Sequence, residues 1–286
     1  MYTYKNKHGL SRTIPQDVKK KIRIDSFFGC VVCGHAIVDY EHVIPEFIDA
    51  KIHDPSCMTL LCPNCHRLVT NGALSKELIL KSMKHPKCKS SGKSVHEFYL
   101  EKDAVIKIGS NTFKNLHILR YDLMSILSIK ASSDFRHPMK INAIFYNSKN
   151  EILSEIRDNT WYANTNQHDI ICSGKDFIIK DDNQELLNVK RISSKIIIIQ
   201  KLNMFVNGWK IFLEKDDFSI HNVRKNMTYS FANMVYEGKK DNDTVCNAFS
   251  SNKFIFAGRL DLSKQYNGKI RIVGETQGKV FLNWPD

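Results

Sequence analysis

Four cysteines fall in two pairs, Cys30-x-x-Cys33 and Cys62-x-x-Cys65, with 28 residues between the pairs. Each pair can close a knuckle that brings two thiolates to one centre. Four thiolates suit zinc, which has no ligand-field preference and accepts sulfur tetrahedrally. Four protein ligands leave no open position, so the spacing predicts a structural ion. The bland alternatives are four reduced buried thiols or two disulfides, which the paired spacing argues against. A redox dithiol fits less well still.

Between the pairs lies DYEHVIPEF, residues 39 to 47, with Glu41 next to His42, and His66 follows the last cysteine directly. Held close together, a carboxylate and two imidazoles are the parts for metal-assisted phosphodiester hydrolysis. One carboxylate and one imidazole can anchor a divalent ion that polarises the phosphate and stabilises the leaving oxyanion. The other imidazole can take a proton from the attacking water. On a strand, neighbours Glu41 and His42 point to opposite faces, so a bulge or twist must bring both onto one phosphate. Plainer readings stand beside these. His42 can be a structural or surface histidine, and Glu41 simply exposed. His66 can bond at a helix N-terminus or enter the zinc shell. Arg67 can touch phosphate or form a surface salt bridge. His35, in the first knuckle's turn, receives no role.

The elements that must position these residues are legible in outline. Pro15 to Phe28 reads as a short basic helix with proline at its first position, stopped by Gly29. A second helix starts near Cys62 to Cys65, and a third runs from Ser75 as N-cap through Leu78, Ile79 and Met83. Lys81 to Ser94 holds five lysines, four serines, a proline and a glycine. That composition breaks helix and strand patterns and marks a domain boundary, a solvated linker or a phosphate contact.

Beyond residue 105 short runs rich in Ile and Phe predict strands: Ile141 to Tyr146, Phe177 to Lys180, Lys195 to Gln200, Trp209 to Leu213 and Lys253 to Phe256. Ile144 to Ile156 and Ile178 to Lys190 echo each other as two hairpins, a weak hint of repetition. Asn159 to Asn166 reads as turns. Trp161, Tyr162, Trp209, Tyr229 and Trp284 could stack on bases, but aromatics at strand spacing usually belong to a core. Six of the eight cysteines precede residue 90; Cys172 and Cys246 follow. The expected fold class is α+β, with residues 1–94 a zinc-braced domain ending in a basic linker. Residues 95–286 form a mainly β domain, a sandwich or a solenoid.

Taken together, Cys30-Val31-Val32-Cys33-Gly34, Glu41-His42-Val43-Ile44-Pro45, Leu60-Leu61-Cys62-Pro63-Asn64-Cys65-His66-Arg67-Leu68 and Asn71-Gly72-Ala73-Leu74-Ser75 carry a resemblance. Over about residues 15 to 85 the chain resembles the HNH endonucleases, or ββα-metal nucleases, in the branch braced by a four-cysteine zinc. The resemblance implies that His42 is the general base. It implies that Glu41 and His66 bind a catalytic magnesium or manganese ion, and that the helix starting around Cys62 to His66 lies against the substrate groove. Three positions depart from the family's usual pattern. Cys57 stands where an Asn commonly pins the loop of the base, Thr70 where a further His often follows, and Glu41 where Asp is more usual, a small change for a hard cation.

The charge agrees with a polyanionic partner. The chain carries 42 Lys and Arg against 30 Asp and Glu, and nucleic acid leads over an anionic membrane surface. Residues 1 to 95 hold 15 basic and 8 acidic side chains, so the excess is densest there. No apolar run long enough to span a bilayer and no signal-peptide core is present, so the expected compartment is the cytoplasm. The expected activity is hydrolysis of DNA, with double-stranded DNA the partner. The arrangement resembles restriction or anti-phage enzymes whose second domain reads a sequence, a modified base or a small-molecule signal. Double-strand cutting would ask for a homodimer. The rivals are a non-catalytic zinc-braced DNA-binding protein and a nuclease of RNA.

Overall fold

The computed structural model describes residues 5–121, 124–166, 169–181, 184–214, 216–224, 226–233, 235–237, 249–251, 254–256, 269–274 and 280–282. Cys246 and Trp284 lie outside the described residues. The chain is mainly β with a smaller helical share, and it divides into two compact units. The first comprises residues 1–96 with two later segments, 162–174 and 179–184; the second comprises the remainder. The N-terminal unit is thus completed from beyond residue 160, which a boundary near residue 94 did not anticipate. Among the described residues no helix is long and apolar enough to cross a membrane.

The first unit begins with helix α1, Gln16–Asp25. Val18 and Ile22 are four apart and share one face, while Lys21 is exposed and Lys19 and Lys20 are half-buried. Pro15 is the N-cap rather than the first helical residue, and the helix ends at Asp25, before the expected Phe28. Phe27 and Phe28 take φ of +53° and +61°, left-handed values that a continuing helix cannot use. Gly29 serves a different end from stopping the helix: a Cβ there would sit 2.6 Å from Cys88 Sγ.

Strands β1, Asp39–His42, and β2, Met58–Leu61, pair antiparallel, and helix α2, Pro63–Thr70, follows β2 after a single residue. All four residues of β2 are buried, so it is covered on both faces. Met58 and Leu60 join Ile14 and Ile22 in one apolar cluster. Leu61 joins Cys30, Val31, Val43, Cys62, Cys65 and Ile79 in another, which surrounds three of the four paired cysteines with hydrocarbon while Cys33 is exposed. Helix α3, Lys76–Lys84, starts as expected at Ser75, whose Oγ accepts from the N–H of Leu78 at 3.2 Å.

The lysine-rich segment is not a linker. Residues Lys87–Ser91 form a short helix, α4, and strand β3 runs over Lys93–Glu97. Cys88 is fully buried and the Lys87 N–H reaches back to the Val31 carbonyl at 2.9 Å. The lysines hid this because Lys84, Lys87 and Lys89 keep their ammonium groups at the surface while Pro86 and Cys88 face inward.

In the second unit, strands Leu116–Tyr121, Met124–Ala131, Met139–Tyr146 and Ile152–Arg157 are successive antiparallel neighbours. Another meander takes in Gln184–Ser193, Ile196–Val206, Trp209–Glu214, Asp217–Asn222, Met227–Ala232 and Lys269–Gly274. Ile196–Ile199 also pairs in parallel with Val105–Ile108. The two echoing segments are strand pairs in different sheets. Asn159 to Asn166 is a correction: Asn159 makes the turn at φ +71°, and Thr160–Asn164 is a strand. Trp161 and Ala163, both fully buried, alternate there with polar residues, which is the strand signal that the asparagines masked. Trp161 packs against Phe177 at 5.5 Å, and Trp209 is also buried, so both tryptophans are core.

Candidate functional site

The two knuckles meet as their spacing requires. The sulfurs of Cys30, Cys33, Cys62 and Cys65 all lie within 4.8 Å of one another, and Cys33 Sγ is 3.6 Å from Cys62 Sγ. Four sulfurs at about 2.3 Å from one zinc sit about 3.8 Å apart at tetrahedral angles. The donor set therefore fits a structural metal ion such as zinc. Local folding fixes it. The Gly34 N–H closes the first knuckle onto the Cys30 carbonyl at 2.8 Å, and Gly34 takes φ +81°. Cys62 is the N-cap of α2, its sulfur accepting from the Cys65 N–H at 3.4 Å.

The charge on this group is concentrated. Cys30 is drawn down to about 5, first by the Cys33 thiol that donates to it and further by backbone N–H groups, with burial opposing. Cys33 is pushed upward by that same bond and by burial, and Cys65 up to about 12 by burial and the nearby Cys30 charge. Four like charges need a dication to coexist, which is why ligation and thiol deprotonation go together.

Beside the metal group a cleft of about 610 Å³ is lined by Glu41, His42 and His66, with Arg12, Glu46, Thr70 and Lys76 among its other walls. The β1–β2 register runs from Asp39↔Leu61 to His42↔Met58 without a shift, so no bulge turns Glu41 and His42 to one side. His42 is the last residue of its strand, and both it and Glu41 line the cleft. Glu41 Oε2 lies 2.9 Å from His66 Nε2. Burial pushes the Glu41 carboxyl above the usual range, against the pull of His66. His66 stands on the first turn of α2, outside the cysteine group, with its side chain 44% exposed.

His42 is only 8% exposed, and its pKa falls to about 4, chiefly because burial disfavours the imidazolium, with His53 and Arg12 adding repulsion. Its Nε2 is 3.2 Å from His53 Nδ1, and its ring meets Phe47 edge-on at 5.4 Å. The loop that follows is tied down from far along the chain. Asn6 Nδ2 donates to the carbonyls of Phe47 and Ala50, both at 2.6 Å, and Lys76 pairs with Glu46.

Cys57 and Thr70, two of the three departing positions, have structural answers. Cys57 offers its backbone: the Val43 N–H donates to its carbonyl at 2.9 Å, and the turn holding it is fixed by Asp54, which accepts from the N–H and Oγ of Ser56. Thr70 Oγ1 donates to the His66 carbonyl at 3.0 Å while lining the cleft. Arg67 is exposed and makes no ion pair among the described residues. Sequence reasoning missed His53, Asn6, Arg12 and Lys76. Of these only His53 left a signal, as another histidine between the cysteine pairs, next to the turn sequence Asp54-Pro55-Ser56.

No family model, no curated protein and no solved structure matches this chain.

Proposed function

We propose that this protein is a metal-dependent endonuclease with a zinc-braced ββα-metal site, acting on double-stranded DNA. The observation that carries the reading is the convergence of Glu41, His42 and His66 on one cleft beside the four-cysteine group. The 2.9 Å between Glu41 Oε2 and His66 Nε2 also suits neighbouring ligands of one octahedral magnesium or manganese ion, which at about 2.1 Å each stand about 3.0 Å apart. Such an ion supplies charge stabilisation to the phosphate and to the departing oxygen. His42, kept neutral by burial, takes the proton of the attacking water. Arg12 puts positive charge on a wall where a phosphate chain would pass, while Lys76 there is paired with Glu46. The second unit then supplies recognition of a sequence, a modified base or a small-molecule signal, as in restriction or anti-phage defence in the cytoplasm. Two copies would be needed to break both strands.

One observation favours the non-catalytic rival, a zinc-braced DNA-binding protein: Glu41 Oε2 and His66 Nε2 already stand at hydrogen-bond distance from each other. The deciding experiment incubates the zinc-loaded chain with supercoiled plasmid and with RNA, in magnesium, manganese or nickel. The nuclease reading expects nicked DNA from the wild type and none from His42→Ala. Identical plasmid from both, with DNA still retained in a mobility shift, selects the rival. Preferential loss of RNA overturns the DNA assignment.

A further inference from the structure

His53 makes two contacts that together decide where protons sit. Its Nε2 is 2.9 Å from the Ser11 carbonyl oxygen, which can only accept, so Nε2 carries the hydrogen. A neutral His53 therefore has its lone pair on Nδ1, the atom 3.2 Å from His42 Nε2. Two lone pairs cannot face each other at that distance, so the hydrogen between the rings belongs to His42 Nε2. A neutral His42 then has its lone pair on Nδ1. Among the described residues no protein group bonds to that nitrogen, and it is not one of the buried polar atoms left without a partner, so solvent reaches it.

The acceptor is itself fixed. Ser11 bridges antiparallel to Lys5, and Asn6 between them pins the loop after His42 through the Phe47 and Ala50 carbonyls. Ser11, His53 and His42 thus form a line of hydrogen bonds anchored on backbone. From this geometry we infer that His53 is a positioning residue: it holds the proton of His42 on Nε2 and presents Nδ1 to the cleft as the atom that accepts the water's proton. The inference rests on the reading of His42 as general base and adds how that base is set. A ring free to exchange tautomers or rotate would have to reorganise in every turnover, whereas a ring held by an oriented partner does not.

The test has a spectroscopic and a kinetic arm. In the full chain, zinc-loaded and labelled with ¹⁵N-histidine, at about pH 8 where ordinary histidines are neutral, a ¹⁵N–¹⁵N coupling across the hydrogen bond should join His42 Nε2 to His53 Nδ1. The proton should sit on His42 Nε2. Absence of that coupling, or a proton on His42 Nδ1, overturns the inference, and this arm reads the relay even in a chain that cuts nothing. In the kinetic arm, His53→Ala should lower kcat for plasmid nicking about 10-fold to 100-fold, with KM close to wild type and zinc content intact. His53→Gln offers an oxygen to His42 and an N–H to Ser11 and should recover most of that loss. An Ala variant as fast as wild type, or a Gln variant no better than Ala, overturns the positioning role.

Discussion

The guanidinium of Arg23 grips the carboxylate of Asp169 by two hydrogen bonds, Nε to Oδ1 at 2.8 Å and Nη2 to Oδ2 at 2.6 Å. A third, from Nη1, reaches the Tyr40 hydroxyl at 2.6 Å. Tyr40 precedes Glu41 on β1, so a residue 146 positions beyond Arg23 helps to steady the strand that carries the site. Both partners of the pair are less than a tenth exposed. Asp169→Ala should destabilise the chain by about 3–5 kcal/mol, because it leaves the guanidinium buried without a counter-charge. The double change Arg23→Met with Asp169→Leu should cost less than Asp169→Ala alone. Urea unfolding of the two variants checks the order.

Cysteines inside and outside the metal group should behave differently. Cys62→Ser should remove bound zinc and unfold the first unit even though serine can still cap α2, since metal binding there is part of folding. Cys88→Ser should keep its zinc, because Cys88 stands apart from the four ligands with a thiol raised to about 12 by burial. Metal content per chain, measured alongside circular dichroism, separates the two results.

Gly29 is constrained by space. A methyl group there would overlap Cys88 Sγ at 2.6 Å and crowd the Gly34 carbonyl at 3.2 Å. Gly29→Ala should cost about 1–3 kcal/mol by overpacking. Adding Cys88→Ala should return part of that stability, and a double-mutant cycle in denaturant measures the coupling.

Stability should fall in mild acid through His42. Its folded pKa of about 4 lies below the ordinary value of 6.5, so between those values the unfolded chain binds the extra proton. Stability therefore rises with pH through that window, and it is lost as pH falls from about 6.5 to about 4. The drop between about pH 7 and pH 5 should shrink in His42→Gln, which removes the titrating ring. Denaturant midpoints of both proteins at the two pH values test the sign.

A second ion should be separable from the first. Manganese added to the zinc-loaded chain should bind at a site detectable by electron paramagnetic resonance, and Glu41→Gln or His66→Ala should weaken that binding at least 10-fold without changing zinc content. Unaltered manganese binding in both variants would remove Glu41 and His66 as its ligands.

The sequence alone determined the parts whose chemistry is local. Two Cys-x-x-Cys pairs bring four sulfurs together because each turn places its own two. Ser75 caps α3 for a reason contained in three residues. Tertiary structure decided everything that depends on partners distant along the chain. The lysine-rich stretch conceals a buried Cys88, because composition counts the lysines while packing selects the cysteine. His53 beside His42, Asn6 under the loop and Asp169 on Arg23 join residues 11 to 146 positions apart. No local pattern encodes such pairs, since a hydrogen bond between side chains depends only on where the folded backbone places them.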